Sequence, residues 1–290
     1  MVLESVFPKK LIKNRAFYAL FLGWLYSIVG IAIAKLVFPA DPSLVAVGIT
    51  SILLIPSLQK IYYRENKVLT STKYFSWKRL YVFNKDAIKI YLGLFVGIFI
   101  IYLTAATILP SLQVNTLFKT QLDVRGAATG MAAGDPFDPL LMMSILGNNW
   151  WVLIATFMIS LLIADGGIFM ITWNASVWGT IFGVTARNAG FAAQINPVVY
   201  VLIIIAIVTP HMILEMLSYI LGAIAGGSLS KDLALGGKKI EVVTTYCVLL
   251  FFVAMIVMVL GAFVETYVLV NADIYRDIIR QSLAVGFAPI

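Results

Sequence analysis

One helical turn near the middle of the chain carries the residues best suited to chemistry. His211, the only histidine, and Glu215 stand four residues apart inside the apolar stretch 198–224. Residues at this spacing share one face of an α-helix. An ionisable side chain at the depth of lipid tails costs about 2.5–3.5 kcal/mol on insertion scales, so such side chains face protein or water. This turn is therefore the first candidate functional site.

Other apolar stretches supply polar partners for this turn. The predicted intramembrane polar cluster has a core of four residues and two neighbours: His211, Glu215, Asn174 and Glu265, with Asp165 and Asn149 nearby. Small residues at helical spacing predict where helix backbones approach closely. Six glycines occupy such positions: Gly222, Gly226, Gly179, Gly183, Gly166 and Gly167. We expect the helices of the second half to pack through these glycines around the cluster.

Three roles fit such a cluster. Its groups can hydrogen-bond one another and hold helices in register, or they can bind a proton, an ion or a small solute. In an intramembrane hydrolase, Glu215 could act as a base beside His211. No catalytic residue is predicted, because the sequence has neither a GxSxG nor a GxxxxGK[ST] motif. With a single histidine, and with Cys247 as the only cysteine, we expect no metal site and no cofactor.

The composition places the chain in a lipid bilayer. Hydrophobic residues make up 61% of the 290 positions and charged residues 12%, which is about half the charge of a soluble domain. Apolar stretches of this length are typical of helices rather than barrel strands. The predicted fold class is all-α: a polytopic bundle of six spanning helices plus one short re-entrant or half-crossing segment. The net charge of +7 is explained by positive-inside topology, so no nucleic-acid partner is expected.

The apolar stretches define the predicted organisation. Six are long enough to span a bilayer: 16–38, 44–62, 87–109, 150–172, 198–224 and 242–270. Residues 174–186 are too few to cross roughly 30 Å of hydrocarbon, so they are predicted to cross only half of it. We expect one transmembrane domain over 1–290. It comprises a three-helix part at 1–110, with a basic cytoplasmic linker at 61–89, and a core at 145–270.

Basic residues predict the orientation of the first half. The N-terminal segment and residues 60–89 hold most of the lysines and arginines, so both are predicted to be cytoplasmic in a multi-pass protein of the cell membrane. The orientation of the second half is not decided by its basic residues. Whether or not 174–186 crosses, fifteen basic residues fall inside and six outside. The charge count therefore does not decide the side of the C-terminus.

Four blocks of the second half form a recognisable pattern. They are Asn148-Asn149-Trp150 with Gly166-Gly167, Trp173-Asn174-Ala175 with Gly179 and Gly183, Pro210-His211 with Glu215, Gly222 and Gly226, and Gly261 with Glu265. Together they resemble the stage II sporulation protein M family (DUF95), particularly its archaeal branch. The likeness is best over 145–270.

The resemblance implies a non-enzymatic membrane scaffold. In spore-forming bacteria it implies recruitment of peptidoglycan-remodelling enzymes during engulfment. For this chain it implies docking of unknown membrane or cell-envelope proteins within the lipid bilayer, with a homodimer as one possible form. An ion, proton or small-solute transporter or channel is the first alternative, and an intramembrane hydrolase is the second.

Overall fold

The computed structural model describes residues 15–69, 77–128, 137–237 and 240–286, and all regular structure in these ranges is helical. The helices are α1 (Arg15–Val37), α2 (Ser43–Leu69), α3 (Trp77–Ile108), α4 (Ser111–Leu117), α5 (Lys119–Ala128), α6 (Pro139–Leu162), α7 (Gly167–Ala193), α8 (Pro197–Ala234), α9 (Ile240–Asn271) and α10 (Asp273–Gly286). The prediction of an all-helical fold is confirmed.

Six of the described helices are long and apolar enough to cross a membrane. Their spans are Ala16–Val37, Asn84–Ile108, Pro139–Leu162, Gly167–Ala193, Pro197–Ala234 and Ile240–Asn271. The class of multi-pass membrane bundle and the number of six agree with the sequence prediction. The two sets of six helices differ in one member. Helix α7 is one of the six in the structure, whereas the predicted span 44–62 is not, because the apolar part of α2 is the shorter segment Ser43–Pro56. Basic residues follow Pro56 in the sequence and end this apolar part of α2.

The prediction that 174–186 crosses only half the bilayer is wrong. These residues form the middle of α7, a continuous helix of 27 residues, roughly 40 Å long at 1.5 Å per residue. The polar residues that interrupt its apolar pattern are accommodated inside the protein. Asn174 donates to the carbonyl of Met170 at 2.8 Å, and Arg187 donates to the carbonyl of Leu109 at 2.8 Å. A helix with such internal partners does not need an unbroken apolar sequence.

The predicted span 150–172 is not a single helix in the structure but comprises the end of α6 and the start of α7. Helix α6 begins at Pro139, where the Asp138 carboxylate caps it by accepting from two backbone N–H groups. It ends at Leu162, and a short turn leads into α7 at Gly167. Asp165 in this turn forms an ion pair with Lys231 at 3.1 Å. Because a buried carboxylate needs a partner, this ion pair fixes the turn beside the end of α8.

Contacts between helix ends show in which direction the helices run through the bundle. Asp165 and Lys231 place the start of α7 beside the end of α8, and Tyr246 donates to Asn84 at 2.5 Å to join the starts of α9 and α3. We call this the first end of the bundle. At the second end, Arg187 near the end of α7 meets Leu109 after α3. Helix α7 therefore runs from one end to the other, and α10 lies at the second end.

Glycines allow the closest helix contacts. A Cβ atom on Gly179 or Gly183 would lie 2.7 Å from a backbone oxygen of α3, and one on Gly222 would lie 2.6 Å from Leu153 of α6. A Cβ on Gly226 would overlap the carbonyl oxygen of Phe157. Since the contacts of Gly226 are largely with backbone atoms, no side-chain rearrangement can make room. Helices α3 and α7, and α6 and α8, therefore pack with their backbones nearly touching.

We predict that Gly226→Ala destabilises the bundle, because its Cβ would push α8 away from α6. The expected loss in free energy of unfolding is about 1–3 kcal/mol, as for overpacked cores. Gly147→Ala is the matched control, since its Cβ would meet nothing within 4 Å, and it should be neutral or slightly stabilising. Unfolding of the detergent-purified variants measures both, and equal stabilities would contradict the packing argument.

Candidate functional site

Three helices bring polar side chains together inside the bundle. Asn149 lies on α6, Glu215 and Tyr219 lie one turn apart on α8, and Glu265 lies on α9. The Tyr219 hydroxyl donates to Asn149 Oδ1 at 2.9 Å. Asn149 and Glu265 both lie close enough to the Glu215 carboxyl group to interact with it. We call these four residues the carboxyl seam.

Gly261 makes the contact between the two glutamates possible. It stands one turn before Glu265 on α9, and a Cβ atom built on it would lie 3.1 Å from Glu215 Cγ. A larger residue would hold α9 away from α8 at this level. The small residue therefore sets the separation at which the two carboxyl groups meet.

The two carboxyl groups share an apolar environment without a counter-ion. Within the described ranges, the side chains that interact with Glu215 include those of Glu265, Asn149 and Tyr219, and none of these is basic. Two adjacent carboxyl groups are not both ionised in a medium of low dielectric unless a cation joins them. The seam therefore holds at least one proton or a cation.

Several polar atoms in and beside the seam lack partners among the described residues. Asn149 Nδ2, Glu215 Oε1 and His211 Nδ1 make no hydrogen bond of good geometry, on residues that are 6%, 4% and 6% exposed, although the Asn149 amide lies within bonding reach of the Glu215 carboxyl group. A buried polar group without a hydrogen bond costs about 1–3 kcal/mol. His211 is buried one turn before Glu215, as its spacing predicts, but no described hydrogen bond joins it to the seam. The seam is thus incompletely satisfied by protein groups.

The structure separates two of the predicted cluster members from the seam. Asp165 lies at the first end of the bundle with Lys231, which is 16 positions after Glu215 on α8, roughly 24 Å along the helix axis. Asn174 is buried, and its amide nitrogen bonds within its own helix to Met170. No described hydrogen bond joins either residue to the seam, so the expected proximity of Asp165 is not found.

The predicted packing glycines divide between different helix pairs. Gly222 and Gly226 face α6, and Gly167 faces Ala223 of α8. Gly179 and Gly183 face α3, and a Cβ on Gly166 would meet Ile159 and Ile163 at the end of α6. The glycines therefore hold the whole bundle together rather than surrounding the polar residues alone.

Tyr219 and Lys231 were not among the predicted site residues. Tyr219 follows Glu215 by four residues, so helical spacing alone could have placed its hydroxyl on the same face. The pairing of Lys231 with Asp165 depends on the turn after α6, which hydropathy does not reveal. Within the described ranges, no group of three or more His, Cys, Asp or Glu side chains is placed to hold a metal ion.

We predict that Tyr219→Phe weakens the contact between α6 and α8. Interhelical hydrogen bonds in membranes average about 0.6 kcal/mol, and a loss of about this size is expected because Asn149 Oδ1 would keep only the longer bond from the neighbouring Asn148 amide, at 3.4 Å. Tyr267→Phe on the exposed face of α9 is the control and should leave stability unchanged. Thermal unfolding in one detergent compares the two variants, and an equal effect would refute a role for the Tyr219 hydroxyl.

Comparison with known proteins identifies the family. The sequence model described as stage II sporulation protein M matches residues 90–268, a range that contains every member of the carboxyl seam. No curated protein and no solved structure matches the chain. The matched range covers most of α3 and continues almost to the end of α9. The chain therefore belongs to the stage II sporulation protein M family.

Proposed function

We propose that this protein is a non-enzymatic membrane scaffold that docks other membrane or cell-envelope proteins. Membership of the stage II sporulation protein M family supports this role. Close backbone packing also supports it, because helices joined through glycines form a stiff platform. A scaffold requires such a platform together with a surface that is free to meet a partner.

The outer face of α6 is the observation that carries the proposal. Only 22% of the 18-residue apolar stretch of α6 is buried inside the protein, compared with 67% of the corresponding stretch of α7. Trp151 on this face is 71% exposed and Met143 is 64% exposed. Trp151 lies 12 residues after the start of α6, roughly 18 Å along it, so an interfacial aromatic belt at the helix end does not account for it. Tryptophan is enriched at the energetic centres of protein interfaces.

Photocrosslinking in native membranes tests this surface. A photoreactive residue at Trp151 should give a discrete adduct with one protein, and the same protein should be captured from Met143. The control position is Ile52 on α2, which is 66% exposed and should capture lipid only. An adduct with a second copy of the chain would assign the face to a homodimer. Lipid adducts alone at Trp151 and Met143 would refute docking at this face.

We also propose that the first end of the bundle faces the cytoplasm of the cell membrane. Because α7 runs between the two ends, Lys231 at the end of α8 lies at the first end, together with the start of α3. Counted along the sequence, the segments assigned to this side hold fifteen of the 21 basic residues. The positive-inside rule favours the cytoplasm for it, which puts α10 outside.

Cysteine labelling tests this orientation. Cys247 is buried, so replacing it with serine gives a cysteine-free background. A cysteine at Leu235, which is 68% exposed, should react only after membrane permeabilisation, whereas one at Leu112, 80% exposed, should react in intact cells. The reverse pattern would invert the proposed topology.

Ion or proton passage is a second candidate function, favoured by the unpartnered polar atoms of the carboxyl seam. A carrier that uses this seam should lose flux in liposomes when Glu215 is changed to Gln, because the substitution removes the titratable carboxyl group. Flux measured with a pH-sensitive dye inside the liposomes gives the rate. An unchanged flux in Glu215→Gln would remove this candidate, whereas a scaffold should show only a loss of stability.

A further inference from the structure

One arginine side chain is buried in the bundle without a balancing acid. Arg187 on α7 is 5% exposed. It belongs to none of the described ion pairs, which join Lys231 to Asp165 and two arginines of α10 to aspartates of the same helix. An arginine side chain stays charged in a protein, and a buried charge is costly unless it is paired as well as hydrogen-bonded. The positive charge of Arg187 is therefore unbalanced within the described part of the chain.

The packing of α7 against α3 determines where this charge lies. Arg187 follows Gly183 by four residues and shares its face of α7, and Gly183 packs against the backbone of Leu103 on α3. Arg187 Nη1 donates to the carbonyl of Leu109 at 2.8 Å. Leu109 follows Ile108, the last residue of the apolar span of α3. The guanidinium group is therefore held at the second end of the bundle, at the level where the span of α3 ends.

One edge of the guanidinium group has no protein partner. The bond from Nη1 to Leu109 is the only hydrogen bond of the Arg187 side chain to a described residue. Nε is buried, and no described residue accepts from it. Nε and Nη2 carry the two parallel N–H groups that hold a carboxylate or a phosphate in a bidentate pair. The edge of Arg187 that fits an oxyanion is therefore the edge that the described protein groups leave unpaired.

The surroundings of this edge favour a phosphate that is attached to a lipid. Ile108, next to Leu109, is 74% exposed, and Phe191, one turn after Arg187 on the same face of α7, is 60% exposed. Both side chains are apolar and lie at the end of a membrane span, where the acyl chains of a lipid meet its headgroup. A free ion gains nothing from apolar neighbours, whereas a phospholipid contacts them with its chains. Basic sites between transmembrane helices bind lipid headgroups in this way.

We propose that the Nε–Nη2 edge of Arg187 binds the phosphate group of one phospholipid at the second end of the bundle. Two phosphate oxygens accept from Nε and Nη2, and the negative charge of the phosphate balances the guanidinium group. The acyl chains lie along the exposed side chains of Ile108 and Phe191. Because Nη1 stays bonded to the Leu109 carbonyl, one guanidinium group joins the lipid to the end of α3.

Binding measurements on the full-length protein, delipidated in detergent, test the proposal. The probes are phosphatidylglycerol, a diacylglycerol with the same acyl chains but no phosphate, and radiolabelled inorganic phosphate. Native mass spectrometry titrates the two lipids, and equilibrium dialysis titrates the phosphate ion. Phosphatidylglycerol should bind saturably, and the diacylglycerol should bind about tenfold more weakly or less, because it lacks the charge-assisted hydrogen bonds to the phosphate.

The three probes separate the possible sources of the anion. A clear preference for phosphatidylglycerol over the diacylglycerol assigns the site to a lipid phosphate. Binding of inorganic phosphate without such a preference would overturn the lipid assignment and leave the free ion. Equal binding of the two lipids and no binding of inorganic phosphate would overturn the phosphate site altogether, and a partner's carboxylate would then be the remaining anion. These measurements use the unaltered protein, so they do not depend on whether a variant folds.

Two substitutions test whether the guanidinium group makes the contact. Arg187→Gln removes the charge and the bidentate edge and should raise the Kd for phosphatidylglycerol about tenfold or more. Arg187→Lys keeps the charge without the bidentate edge, so its Kd should lie between those of the unaltered protein and Arg187→Gln. Arg280→Gln is the matched control and should leave the Kd unchanged, because Arg280 lies on α10 at the same end and is 66% exposed. The same Kd in both Arg187 variants and the unaltered protein would overturn the proposal.

Discussion

The close contact of α8 with α6 and α9 determines where the polar residues of the bundle meet. In hydrocarbon no water satisfies a polar group, so each such group must find its partner inside the protein. Glycines bring the backbones within reach: Gly226 of α8 contacts α6, and Gly261 of α9 contacts Glu215. Only at this separation do Asn149, Glu215 and Glu265 meet. The polar seam is therefore a consequence of backbone packing.

This packing gives α6 two different faces. Close packing buries one face of α6, where Asn149 lies, and leaves the other face, with Trp151, free to meet lipid or a partner. The inner face of α6 therefore joins the carboxyl seam, while the outer face of the same helix carries the proposed docking surface.

The sequence predicted the fold class, the number of spanning helices and the family, because composition and apolar length are properties of the bare chain. It also singled out Glu215, Glu265 and Asn149, which the structure brings together. It failed for 174–186, because the length rule assumes that polar residues such as Asn174 and Arg187 face lipid, whereas both have protein partners. It misplaced Asp165, because nothing in the hydropathy marks the turn between α6 and α7. The contribution of Tyr219 depends on which helix lies opposite, and one sequence does not specify that.

The energetic coupling between Glu215 and Glu265 shows directly whether their carboxyl groups meet. The free energy of unfolding should be measured for Glu215→Gln, for Glu265→Gln and for the double variant in one detergent. If close packing joins the two carboxyl groups in one seam, the effects should be non-additive by about 1 kcal/mol or more, as for residues in contact. Effects that add to within about 0.3 kcal/mol, as for independent distant sites, would show that the two glutamates do not meet and that close packing does not form the seam.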